Sequence, residues 1–251
     1  MTERFTPEMS VRYSLNRRGI SIEDLGVAPT VVVCWGRKAV EFFAGDISAR
    51  PSEHWTYKAR NPLYVGQIDG RPVSIAHLPV GAPGTIMVME EMIVCGARTF
   101  FGLGWAGSLQ PTAPVGHILL PTSCLSEEGT SLHYVTPGTP LAPDPALVDR
   151  LETAAEREGC VTHRGSQWTT DAPYRELVST IEGYAARGVL GVDMETSAMY
   201  ALGRFRGVSV ANLLVVSDEL WQAWNPAFGT EELQQATARA WRVVKRAIAA
   251  G

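Results

Sequence analysis

A chain of 251 residues with 45% hydrophobic and 19% charged side chains has the balance of a globular protein, and enough length to bury one large core. Its net charge is −4, with Arg and Lys spread along the chain, which argues against nucleic acid or an anionic membrane as a partner. No apolar run approaches the roughly 20 residues that a bilayer span needs, and the polar start is unlike the apolar core of a signal peptide, so a cytoplasmic location is expected.

Strand-like and helix-like apolar runs alternate along the chain. Thr30 to Cys34 reads as a buried strand, and Leu63–Ile68, Asp69-Gly70 and Pro72–Leu78 as a hairpin whose Asp-Gly pair supplies positive φ angles. Thr85–Cys95 has helical spacing and Gly96 to end it; Thr99–Leu103 is a strand expected to run into a glycine-rich bend, Gly102 to Ser108. Val115–Pro121 is a further strand, Pro137–Pro145 a surface crossing, and Pro145–Glu158 a helix. Val189–Val192 (strand), Glu195–Phe205 (helix) and Val208–Val216 (strand) continue the alternation. The last helix starts at Thr230, with Glu231 and Glu232 in its first turn. Such a pattern predicts a single α/β domain over residues 1–251, with a mixed central sheet flanked by helices. The four cysteines (Cys34, Cys95, Cys124, Cys160) show no CxxC spacing and are expected as reduced thiols. The five histidines do not cluster, so no metal site is expected.

Two segments carry chemistry. Gly191 to Ala198 takes a strand straight into a helix with Asp193 and Glu195 at the switch, where ligands of open α/β sheets bind. A carboxylate there can accept two hydroxyl hydrogen bonds and so grip a ribose diol; equally, both acids could cap the helix N-terminus. Leu213 to Glu219 is an apolar strand ending in Ser217-Asp218. An Asp on the lip of a buried strand should have its pKa raised toward the general-acid range, unless it only starts the next turn.

Met194-Glu195 opening a helix and a later strand ending in Ser217-Asp218 resemble the nucleoside phosphorylase superfamily, which includes purine nucleoside and uridine phosphorylases and methylthioadenosine nucleosidases. The likeness takes in Glu90-Glu91, Ser108-Leu109-Gln110 and Glu128 to Tyr134, and covers roughly residues 30 to 248. It implies a phosphorylase/hydrolase-like fold, a small-molecule nucleoside and phosphate as substrates, no metal or organic cofactor, and a homodimer or homohexamer with the 1–29 extension at a dimer interface. Glu195 would bind the ribose 2′ and 3′ hydroxyls with Met194 against the sugar, and Asp218, set by Ser217, would protonate the base. Gln167 to Tyr174 falls where the family floors its base pocket, so Trp168 or Tyr174, with Thr170, is expected at the base; core packing is the other reading of the aromatics. Uridine phosphorylases carry Gln-x-Arg just beyond; Tyr174-Arg175-Glu176 stands here, which favours a purine-like base.

The phosphate side departs from the family. Its Pro-Gly-Asp-Pro-x-Arg loop is replaced by Cys34 to Ala39, with Trp35 at the glycine and Ala39 at the arginine. Its Arg-x-Gly-Ser/Thr cluster falls on Gly102, Leu103, Gly104 and Trp105. A buried phosphate needs charged donors, and neither position has one. Arg37, Lys38, Lys58 and Arg60 are the nearest substitutes. The glutamate and serine that hydrolytic relatives place near Ala39 and Trp105 are absent too. The nucleophile is therefore open between phosphate and water, and a non-catalytic nucleoside-binding relative is the alternative. Arg12, Arg17 and Arg18 form either a solvated basic turn or a contact for a nucleotide 5′-phosphate.

Overall fold

The computed structural model describes residues 3–251; the first two positions of the 1–29 extension fall outside them. In chain order the elements are α1 (Pro7–Arg18), β1 (Thr30–Cys34), α2 (Arg37–Asp46), β2 (Arg50–Pro51), β3 (Leu63–Ile68), β4 (Arg71–His77), α3 (Ala82–Val94), β5 (Thr99–Ser108) and β6 (Ile118–Glu127). They continue with α4 (Pro145–Arg157), β7 (Thr162–Thr170), α5 (Val178–Ala185), β8 (Gly191–Asp193), α6 (Thr196–Arg206), β9 (Ser209–Glu219), β10 (Asn225–Pro226) and α7 (Glu231–Ala249).

Ten strands form one mixed sheet in the order β10-β9-β6-β7-β8-β5-β1-β4-β3-β2, and β9 also pairs with β5. That extra pairing closes β5, β8, β7, β6 and β9 into a ring; β1, β4, β3 and β2 extend from β5 as an open wing, and β10 pairs with β9. Helices α2, α4 and α7 cover one side through Val40, Phe43, Leu151, Trp241 and Val244. Helices α3 and α6 cover the other through Ile86, Met89, Met92, Met199 and Tyr200. The mixed sheet with helices on both faces is the architecture expected from the alternation.

Several boundaries differ from the sequence reading, each for a physical reason. The glycine-rich stretch is not a bend: β5 runs unbroken to Ser108, paired with β9 along its length, with a register shift between Ala106 and Gly107. Its glycines are there for close approach. A Cβ on Gly104 would lie 2.8 Å from the Trp35 ring, and one on Gly107 would lie 2.7 Å from Leu220. Helix α3 starts three residues before Thr85, because Gly81, at φ +95°, turns the chain and Pro83 suits a first helical turn. The strand placed at Val115–Pro121 instead starts at Ile118 and extends to Glu127, since β7 pairs beside it to Glu127.

The N-terminal arginines lie on a helix rather than a turn. Thr6 caps α1 by accepting from the Met9 amide, Gly19 closes it in the left-handed region, and Val11 and Leu15 are buried. All four cysteines are free. Among the described residues, no helix is long and apolar enough to cross a membrane and no group of three or more His, Cys, Asp or Glu could hold a metal ion.

Candidate active site

The ring of strands explains how residues far apart in sequence meet. Gly107 on β5 stands in register with Val192 on β8 and with Asp218 on β9, so the ends of those two strands flank a single backbone position. Beside this point opens a cavity of about 780 Å³ whose walls include Trp35, Ala39, Gly104, Trp105, Tyr174, Glu176, Asp193, Met194, Glu195, Ser217, Asp218 and Trp224. The volume accommodates a ligand of nucleoside size.

The two acids at the β8–α6 switch divide the roles proposed for them. Asp193 serves the helix: its Oδ2 accepts from the Thr196 amide at 3.1 Å and from the Thr196 hydroxyl, and its Oδ1 accepts from the Thr169 hydroxyl at 2.7 Å. Glu195 occupies the N-cap position of α6, but its side chain makes no capping hydrogen bond. Its Oε1 accepts a 2.6 Å hydrogen bond from the Gly81 amide, donated at the start of α3. Burial, and after it the negative charge of Asp193, holds the Glu195 carboxyl above its ordinary range; burial does the same to Asp193 against the pull of its hydroxyl donors. With one acceptor site used by Gly81, Glu195 keeps lone pairs open to the cavity.

At the other strand end, Ser217 donates to Asp218 Oδ1 at 2.7 Å, and the Trp224 indole donates to Oδ2 at 3.0 Å. Asp218 is buried while Trp224 stands exposed beside it. Glu176, on the turn after Pro173–Arg175, lines the same cavity. Burial, aided by the Asp218 charge, pushes its carboxyl up to about 7.

On the side matched to the family's phosphate positions, Trp35 lies against Gly104 and donates to the Thr85 hydroxyl at 2.8 Å. Trp105, 43% exposed, donates to Thr237 at 3.0 Å and leans on Phe228 at 6.0 Å between centroids. Together with Ala39, these side chains make this wall largely apolar. The substitute cations lie elsewhere: Arg37 pairs with Glu41 at 3.0 Å, Lys58 bonds the Glu53 carbonyl at 2.5 Å, and neither Lys38 nor Arg60 lines the cavity. Arg18 is spent on the His54 carbonyl and Thr56, Arg17 sits over Tyr13, and Arg12 is likewise outside the cavity lining. Because the Trp35 ring cannot bend, Gly104→Ala is expected to cost about 1–3 kcal/mol through overpacking. Urea unfolding measures it; an unchanged midpoint would show that Trp35 slides away freely.

The structure brings together Glu195, Met194, Ser217, Asp218 and Tyr174, the last 98% exposed at the rim. It separates three others. Trp168, 2% exposed, is a core residue packed with Leu109, Ile181, Val189 and Val192, so it is not a base-stacking face. Thr170 accepts from the Ala172 amide and is not on the cavity wall; Gly102 also lies off it, backed by Asn212. Strand alternation is the reason: the middle residue Thr169 points to Asp193, which sends Trp168 and Thr170 to the opposite face. Glu176, Trp224 and Gly81 were missed. In the sequence Tyr174-Arg175-Glu176 stands out only as a departure from the uridine pattern, and no spacing marks the other two.

An α/β domain with carboxylates from two strand ends converging on one cavity is built to hold a small polar ligand at the carboxyl edge of its sheet. A family description, the phosphorylase superfamily, matches residues 31–249, and the chain belongs to the nucleoside phosphorylase superfamily. It is 29% identical to a guanosine phosphorylase of Halorubrum lacusprofundi over 175 residues, covering 70% of this chain and 71% of that protein. It is 26% identical to a uridine phosphorylase of Klebsiella aerogenes over 245 residues, 91% of this chain and 94% of that one. A uridine phosphorylase of Treponema pallidum is 30% identical over 198 residues, 74% and 75% of the two chains.

Proposed function

We propose that this protein cleaves the N-glycosidic bond of a purine-like ribonucleoside and that water, rather than phosphate, accepts the sugar. The observation that carries the reading is the charge of the cavity wall. Four carboxyl groups line it (Glu176, Asp193, Glu195 and Asp218), and among the described residues no Lys, Arg or His does. A phosphate dianion entering such a wall finds no charged donor to offset its desolvation, whereas a neutral nucleoside and a water molecule need none.

Glu195 takes the ribose diol, and Met194 packs on the sugar. Asp218 meets the base, and protonation of a ring nitrogen at that end of the cavity turns the base into a neutral leaving group. Acid assistance of this kind is worth on the order of 10²–10⁴-fold. A purine has a basic imidazole nitrogen to take the proton, and uracil has none, so the acidic base end supports the purine reading. Holding sugar and water together supplies the remainder.

The test is release of free base from inosine, guanosine, adenosine and uridine, each with and without inorganic phosphate. Purine release that is equal in both buffers, with ribose rather than ribose 1-phosphate as the sugar product, is expected. Release that requires phosphate would overturn the choice of acceptor. Binding of nucleosides with no release in either buffer would make the protein a non-catalytic relative.

A further inference from the structure

One cavity carboxyl has no task in the ribose grip or the base contact. Glu176 is half-buried, lines the cavity with Asp218, and among the described residues its side chain has no hydrogen-bond partner. Asp218 is the opposite case. Donors from Ser217 and Trp224 already point at its two oxygens, so it is held as an acceptor. An acid must carry an O–H and turn it toward the substrate; no donor fixes either Glu176 oxygen, so its O–H is the freer of the two to turn.

We propose that Glu176 is the catalytic acid that hands the proton to the departing base, while Asp218 stays a carboxylate beside the base and stabilises the positive charge it gains. The inference rests on the glycosidic-cleavage reading above and names the proton source within it. In the step, the bond between the sugar C1′ and the base nitrogen breaks and its electron pair goes to the base. The Glu176 proton goes to a base ring nitrogen, leaving Glu176 as a carboxylate. Water forms the new bond to C1′, and the proton it sheds restores Glu176. The sum is nucleoside plus water giving free base plus ribose.

The surroundings suit this task. Asp218 faces Glu176 as a negative charge, Asp193 and Glu195 line the same cavity, and Tyr174 is on its own turn. Burial and the Asp218 charge place Glu176 at about 7, where an acid is both protonated and willing to donate near neutrality. Since the protonated form is the active one, turnover of a neutral purine nucleoside falls as pH rises through that value.

The experiment compares inosine with 7-methylguanosine, whose purine already carries the positive charge that protonation would supply. In Glu176→Gln, release of hypoxanthine is expected to slow by about 10²–10⁴-fold and to lose its alkaline limb. Release of 7-methylguanine should stay within roughly threefold of the parent, since no acid is needed. Glu176→Asp, which keeps an ionisable group, should retain the alkaline limb at reduced rate. Equal slowing of both substrates in Glu176→Gln, or an unchanged alkaline limb, would overturn the assignment. If the parent protein releases base from neither nucleoside, the failure belongs to the glycosidic-cleavage reading instead.

Discussion

Glu195→Ala is expected to lower kcat/KM for a purine ribonucleoside by about 10²–10⁴-fold, from two charge-assisted hydrogen bonds of roughly 1.5–3 kcal/mol each. The carboxylate is buried, its direction is fixed by the Gly81 amide, and its remaining acceptor capacity opens on the cavity. Truncation also leaves the Gly81 N–H without its partner, so a modest loss of stability should accompany the loss of activity. A 2′,3′-dideoxynucleoside separates the two effects. The parent should discriminate strongly against it, and the variant should not. If the variant kept the parent's ratio of ribo to dideoxy substrate, Glu195 would not be the diol ligand. The pH dependence has a definite sign. Burial and Asp193 raise the Glu195 carboxyl, and only its ionised form accepts both hydroxyl protons, so ribonucleoside binding strengthens as pH rises. With the falling limb assigned to Glu176, this gives a bell-shaped profile of kcat/KM.

Asp218→Asn is expected to cut turnover by about 10²–10³-fold on inosine and on 7-methylguanosine alike, with nucleoside affinity changed by less than about tenfold. The charge is what the substitution removes. Asn keeps the size and can still accept from Ser217 or Trp224, but it cannot stabilise a cationic purine. Asp218 also contributes to the raised Glu176 carboxyl, so the alkaline limb of the variant should move to lower pH. Single-turnover rates with both substrates, followed across pH, measure all three effects. A variant slowed on inosine but normal on 7-methylguanosine would make Asp218 the proton donor. A limb that stayed in place would show that the two carboxyls do not feel each other.

Much of the fold was legible because its signals are local. A β-branched run ended by Trp35-Gly36, the Asp69-Gly70 turn and the Thr230 cap each state their element within a few residues. The Met194-Glu195 and Ser217-Asp218 junctions were legible for the same reason: each is a strand end with acids beside it. Where sequence reasoning failed, the deciding contact was distant. Gly102 to Ser108 looks like a bend because glycines usually mark one; here Trp35, Leu220 and Asn212 crowd the strand and allow no side chain. Trp168 looks like a stacking surface because it is aromatic and near the base segment, but its direction is set by which neighbour faces Asp193.

The sequence by itself determined the α/β alternation and the acids at two strand ends, and it puts no charged side chain at Trp35, Ala39 or Gly102 to Trp105. Those are matters of residue type and short spacing. Only the tertiary structure decided that the two strand ends share one cavity, that Asp193 is tied to the helix while Glu195 opens on that cavity, and that Glu176 joins them. The β5–β9 pairing closes the ring of strands and brings 107, 192 and 218 into register. Hydrogen bonds between strands more than a hundred residues apart leave no period in the chain, so this convergence follows from the closed sheet and from nothing shorter.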